Sequence, residues 1–172
     1  MTKPFRISFL VFILLSAPAL ARADALDDAF KLLRLTNIDK QFNAASAEQT
    51  RDIIRTYSLI VSDAAEVQLP QAIKTAISKC YEESYDFTKF RRGIAEILVD
   101  TFSAKELELL VDFHSDLALP PSEISAFREI VAKAELVQRI GAEFILDNSE
   151  GCLQQGTNLV LDFLDTQQLK PN

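Results

Sequence analysis

The chain has 172 residues, 48% hydrophobic and 25% charged, with 4 Gly and no Trp. That balance excludes a disordered tail, a collagen-like repeat and a polytopic membrane protein. Three of the 18 basic residues (Lys3, Arg6, Arg22) and none of the 25 acidic ones precede Asp24, which leaves residues 24–172 a net charge of −10; the clustered Lys/Arg that nucleic acid or anionic lipid demands is missing.

Residues 1–23 read as a secretory signal peptide. Lys3 and Arg6 form a positive start, residues 7–15 are apolar, and small residues lead through Pro18 to Ala21-Arg22-Ala23, an A-x-A cleavage signal. An uncleaved anchor is the competing reading, but a spanning helix needs about 20 apolar residues and this run is half that. No Cys follows the cleavage region to carry a lipid, and the C-terminus has no apolar tail. The expectation is a leader, 1–23, removed after Ala23, and a single domain, 24–172, that is periplasmic or secreted with no stable membrane span.

Beyond the leader, prolines stand only at Pro70, Pro120, Pro121 and Pro171, leaving 71–119 and 122–170 free of them. Pro-free, Gly-poor tracts rich in Ala, Leu, Glu and Lys favour helix. Leu26, Phe30, Leu33 and Ile38 fall near a helical repeat, with a break at Thr36-Asn37. Ser46-Ala47-Glu48-Gln49 has the form of a capping box, opening a helix with a stripe of Ile53, Ile54, Tyr57, Ile60, Val61 and Ala64. Pro70 suits the first turn of the next helix, where Ile73, Ile77, Cys80, Tyr81 and Ser84 share a face.

Phe87, Phe90, Ile94, Ile97, Leu98 and Thr101 recur at steps of three and four. Ser103-Ala104-Lys105-Glu106 is a second capping box, before Leu107, Leu110, Val111 and His114. Residues 116–121 read as a loop. Ser122 is placed to cap one long helix with Ile124, Phe127, Ile130, Val131, Ala134, Val137, Ile140, Phe144 and Ile145 on its buried side. Gly151 reads as a left-handed terminator before a last helix with Leu153, Leu159, Val160, Phe163 and Leu164. The fold class is all-α: a single compact bundle of about six to seven antiparallel helices.

Cys80 and Cys152 are the only cysteines, an even number in a chain expected to fold under oxidising conditions. A disulfide between them is favoured over two buried, independent thiols. No C-x-x-C or ligand cluster accompanies them, so metal binding and thiol catalysis are disfavoured.

Catalytic signatures are thin. His114 is the sole histidine, which removes two-histidine metal sites. A packed core histidine is the plainer reading of it, and a general base the sharper one. Glu82, Glu83 and Asp86, and Glu143, Asp147 and Glu150, place carboxylates at helical spacing, the pattern of a cation chelate or acid/base pair but more often of a solvated face. Arg91-Arg92 is too small a basic patch for nucleic acid. The sequence shows no nucleophile elbow, zinc motif, phosphate loop or dinucleotide fingerprint, so no cofactor or metal is expected. Tyr81, Tyr85, Phe113 and His114 are the candidates for a ligand groove, although core packing explains most of the aromatic concentration around them.

Tyr85-Asp86-Phe87, Phe102-Ser103-Ala104-Lys105-Glu106-Leu107 and Val111-Asp112-Phe113-His114-Ser115, with the earlier stretch 32–42, resemble the exported bacterial family called domain of unknown function 2059. In that family an fT-x-x-E-L capping segment precedes an F-Y-x-S-P-x-G helix end; here His114 stands at the usual Tyr. The resemblance implies a helical exported protein and supplies no catalytic residue. Three functions follow as expectations. The first is a non-catalytic interaction module of the cell envelope, binding another protein or a peptide. The second is a carrier for a small apolar ligand or lipid between helices, and the third a hydrolase using the carboxylate pairs.

Overall fold

The computed structural model describes residues 17–115, 121–149 and 151–168. Eight α-helices and no strand lie among them: α1 (Ala17–Leu35), α2 (Ile38–Ala65), α3 (Gln71–Ser84), α4 (Phe87–Thr101), α5 (Ala104–His114), α6 (Ile124–Ala132), α7 (Ala134–Asp147) and α8 (Cys152–Gln168), with a 3-10 turn at Pro121–Glu123. The chain is all-α, with one helix more than the six to seven expected. The positive and apolar parts of the leader, residues 116–120 of the predicted loop, Glu150 and the tail from Leu169 lie outside the described residues. Contacts divide the described residues into two compact units, one made of those up to Thr36 with those from Gly93 to Gly141, the other of those from Asn37 to Arg92 with those from Ala142 onward.

In the first unit α1 packs on α5, and α5 on α6. Ala25, Ala29, Leu32 and Leu33 form the buried stripe of α1, at i, i+4, i+7 and i+8; the two alanines let the helices approach closely. The capping box at Ser103 is present. Its hydroxyl accepts from the Glu106 N–H at 3.3 Å, and Glu106 Oε2 accepts from the Ser103 N–H at 2.8 Å. Leu107, Leu109 and Val111 point into the core. His114, expected to be packed, is exposed instead. It is the last residue of α5, where the helical stripe ends, and its ring lies edge-on against the exposed Phe113 at 5.2 Å.

The long helix expected from Ser122 onward is divided. Ser122 falls within the 3-10 turn, and the residue capping α6 is Glu123, without a side-chain bond. At Lys133 the backbone tightens, its N–H reaching back three residues to Ile130 O at 3.0 Å, and α7 begins afresh at Ala134. The same lysine's ammonium reaches Glu106 at 2.7 Å and the Thr101 carbonyl at 3.4 Å. Of the predicted buried side, Ile130 is enclosed while Ile124 and Val131 are exposed.

The second unit is built from α2, α3 and α8, each packed on the other two. Asn37, in the left-handed region at φ 50, makes the predicted break before α2. The capping box read at Ser46 is not a helix start. No Pro or Gly interrupts 38–65, so α2 runs through it, and Ser46 gives its carbonyl to the Thr50 hydroxyl at 2.8 Å. Pro70 is the residue capping α3, with its carbonyl accepting from the Ile73 and Lys74 amides. Tyr57, Val61, Leu69, Ile77, Tyr81, Cys152 and Val160 form the core. Gly156 lets α8 press on Tyr57, whose ring carbon would lie 3.2 Å from an added Cβ. The Tyr57 hydroxyl meets Thr157 Oγ1 at 2.9 Å and donates to Leu153 O at 3.3 Å.

Cys80 of α3 and Cys152 of α8 form a disulfide, with their Cα atoms 5.7 Å apart and the two residues separated by 72 positions in sequence. Gly151, at φ 73, turns the chain into α8 in the predicted left-handed conformation.

Candidate functional site: a polar groove between α2 and α3

Within the second unit, large side chains close the core between α2, α3 and α8, but the facing residues Ser46, Ala47, Thr50 and Ser78 are too short to fill the space between α2 and α3. A cleft of about 370 Å³ remains, with Asn43, Arg51 and Ile54 on the α2 wall and Glu82, Tyr85 and Asp86 on the other. The α2 residues recur at 43, 47, 50 and 54, one helical face. A second cleft of about 480 Å³ shares Ile54, Ser78 and Glu82 and continues past Lys74 to Gln71, so the groove follows most of α3.

The polar groups of the first cleft divide by task. Asp86 Oδ1 accepts from the Thr88 N–H at 2.9 Å, at the start of α4. That hydrogen bond, then a weaker one from the Thr88 hydroxyl, holds the Asp86 carboxyl below the ordinary carboxylate range. Asn43 Oδ1 accepts from the Phe87 N–H at 3.3 Å, so two side chains meet orphan donors of the same helix end. Glu82 accepts from the Ser78 hydroxyl at 2.9 Å, one turn along α3. Thr50 is buried, and its hydroxyl is satisfied within its own helix. Arg51 is exposed and forms no ion pair among the described residues.

The α3 wall is fixed from behind. Cys80 lies two residues from both Ser78 and Glu82, so it points away from the groove, and its disulfide ties α3 to α8. Ser84 Oγ lies 3.1 Å from Cys152 Sγ. Tyr81 and Tyr85 stack with centroids 5.7 Å apart. Burial, with smaller contributions from Tyr57 and Tyr85, raises the Tyr81 phenol above its usual value. The Tyr85 hydroxyl accepts from Ser149 at 3.1 Å.

The four predicted groove residues fall in different places. Tyr81 is in the core of the second unit and Tyr85 at its groove. Phe113 and His114 belong to the first unit, where Phe113 also packs on Phe127 at 4.6 Å. Of the first acidic set, Glu82 and Asp86 line the cleft, while Glu83 pairs with Lys79 at 3.7 Å. Glu143 and Asp147 are exposed on α7, and Arg91 and Arg92 on α4. Among the described residues no group of three His, Cys, Asp or Glu side chains is placed to hold a metal. No described helix is long and apolar enough to cross a membrane.

Sequence reasoning passed over Asn43, Thr50, Arg51, Lys74 and Ser78. The one signal available was the run of small polar residues at helical spacing on α2, which reads equally well as a solvated face. Comparison with family models, with curated proteins and with solved structures finds no match to this chain.

Proposed function

We propose that this protein is an exported, non-catalytic interaction module of the bacterial cell envelope, akin to the domain of unknown function 2059 family, and that the α2–α3 groove is where it receives another protein or a peptide. The groove carries this reading: it is open, lined by hydroxyl, amide and charged side chains, and its α3 wall is held by a disulfide. Asp86, one of its two carboxylates, is committed to the start of α4, while Glu82 accepts only from Ser78, so the two are not free to work together as acid and base. That employment weighs against the hydrolase reading. An apolar carrier calls for an enclosed site walled by aliphatic and aromatic side chains, whereas this cleft is open and has only Ala47, Ile54 and Tyr85 of that kind.

Export supplies the oxidising conditions the disulfide needs. Cleavage after Ala23 would shorten α1 to begin at Asp24, placing Asp24, Asp27 and Asp28 at the helix end that favours negative charge. The Arg22–Asp100 pair lost with the leader is solvent-exposed on both sides and contributes little.

The test is a photo-crosslinking amino acid at Ala47, an exposed residue of the groove wall, with a control at the exposed Leu161 of α8. Exported protein should give a discrete adduct at position 47 and none at 161. No adduct at 47, or the same adducts at both positions, would contradict the proposal.

A further inference from the structure

The charges of the first cleft are set on opposite walls. Arg51 stands on the α2 side, and Glu82 and Asp86 on the α3 side. No ion pair joins Arg51 to either acid, although all three line the same space; elsewhere on these helices Arg55 pairs with Asp52 at 3.1 Å and Lys79 with Glu83 at 3.7 Å. A guanidinium and two carboxylates thus line one open space with no ion pair between them among the described residues. The volume of about 370 Å³ falls at the low end of the range for small-ligand sites.

We infer that this cleft binds a short peptide with free termini, its carboxylate on Arg51 and its ammonium on Glu82. The inference rests on reading the groove as the binding site, and it names the ligand. A guanidinium offers paired donors that match a carboxylate in two parallel hydrogen bonds. Glu82, steadied by the Ser78 hydroxyl at 2.9 Å, presents its remaining lone pairs to an ammonium. Asp86, ionised and bonded to Thr88, adds negative charge on the same wall. Between the charged ends, Ser46 and Asn43 can meet the peptide N–H and C=O groups. A ligand with one charge satisfies one wall and leaves the other as it was. A zwitterion supplies a partner for each, and the space of about 370 Å³ admits one larger than a single amino acid.

The experiment is an amide-resolved NMR titration of the protein as recovered from the cell envelope with trialanine, N-acetyl-trialanine, trialanine amide and free alanine. Trialanine should give saturable shifts at residues around Arg51, Ser78 and Glu82. Each blocked peptide should bind at least about tenfold more weakly, the cost of one charge-assisted contact. Arg51→Gln should erase the preference for a free carboxylate, and Glu82→Gln the preference for a free amine. Both residues are exposed, and dispersed spectra of the variants verify folding. Blocked peptides that bind as tightly as trialanine, free alanine that binds equally well, or no saturation by trialanine would overturn the inference. If trialanine fails while the Ala47 adduct still forms, the zwitterion assignment alone falls; failure of both removes the groove itself.

Discussion

Lys133 and Glu106 join three features of the first unit at one point. The ammonium lies 2.7 and 2.8 Å from the two carboxylate oxygens of Glu106, the carboxylate that completes the capping box of α5. The same nitrogen donates to the last carbonyl of α4 at 3.4 Å and lies 5.6 Å from the Phe102 ring centroid. The backbone of Lys133 is also where α6 gives way to α7. One residue therefore meets a helix end, a helix start and a helix break.

This pair makes stability depend on pH in a defined direction. The Lys133 hydrogen bond, followed by that of the Ser103 N–H, holds the Glu106 carboxyl below the ordinary carboxylate range. A depressed carboxylate stabilises the fold fully above its unfolded value, about 4.3, and the contribution is lost as pH falls through the lower folded value. Denaturant titrations at pH 7 and pH 3 should show a larger acid loss for the natural protein than for Lys133→Met. The pair is partly exposed, so the substitution should cost only about 1 kcal/mol at pH 7. An equal acid loss in both proteins would show that Lys133 does not set the Glu106 titration.

The disulfide predicts a simple mutant cycle. Cys80→Ser and Cys152→Ser should each lower stability by roughly 4 kcal/mol, the chain-entropy value for a loop of this length, and the double variant should be no worse than either. Equilibrium unfolding in urea measures all three. Additive losses would mean that the two sulfurs stabilise separately.

Backbone conformation yields two substitutions of opposite sign. Glu66 ends α2 at φ 54, a region that disfavours a side chain, so Glu66→Gly should stabilise by about 0.5–1 kcal/mol. Gly151 sits at φ 73 with nothing within 4 Å of an added Cβ. Gly151→Ala should therefore cost about 1 kcal/mol from backbone strain alone. Melting temperatures of the two variants on either side of the natural protein verify both.

Tyr57→Phe removes the hydroxyl that meets Thr157 and Leu153 O and keeps the ring that packs on Gly156. About 1 kcal/mol should be lost, with the near-ultraviolet signature of the fold retained. A loss several times larger would show that the hydroxyl also positions α8.

Helical periodicity made most of the architecture legible, and its failures are instructive. Ser103 and Ser46 head the same four-residue pattern, yet only Ser103 caps a helix. Phe102 stands between α4 and α5, where free N–H groups await a partner; Ser46 lies inside a stretch, 38–65, with no Gly or Pro to stop the helix. A capping motif shows what a helix start would use, not that the chain stops there. Lys133 shows the converse. No Gly or Pro marks the break between α6 and α7, and what accompanies it is a lysine reaching Glu106, 27 residues back in sequence. The stripe through Leu107 and Val111 placed His114 inward, but a helix face ceases to be a guide where the helix ends. The groove was least legible, because a gap between α2 and α3 is set by two facing sets of short side chains at once.

Export with closure of the Cys80–Cys152 bridge is the premise on which the envelope role depends, and the intact mass of protein recovered from the periplasm tests it most directly. The mass should correspond to a chain starting at Asp24 and two hydrogens lighter than its dithiol form. A full-length chain with both thiols free, found in the cytosol, would contradict it.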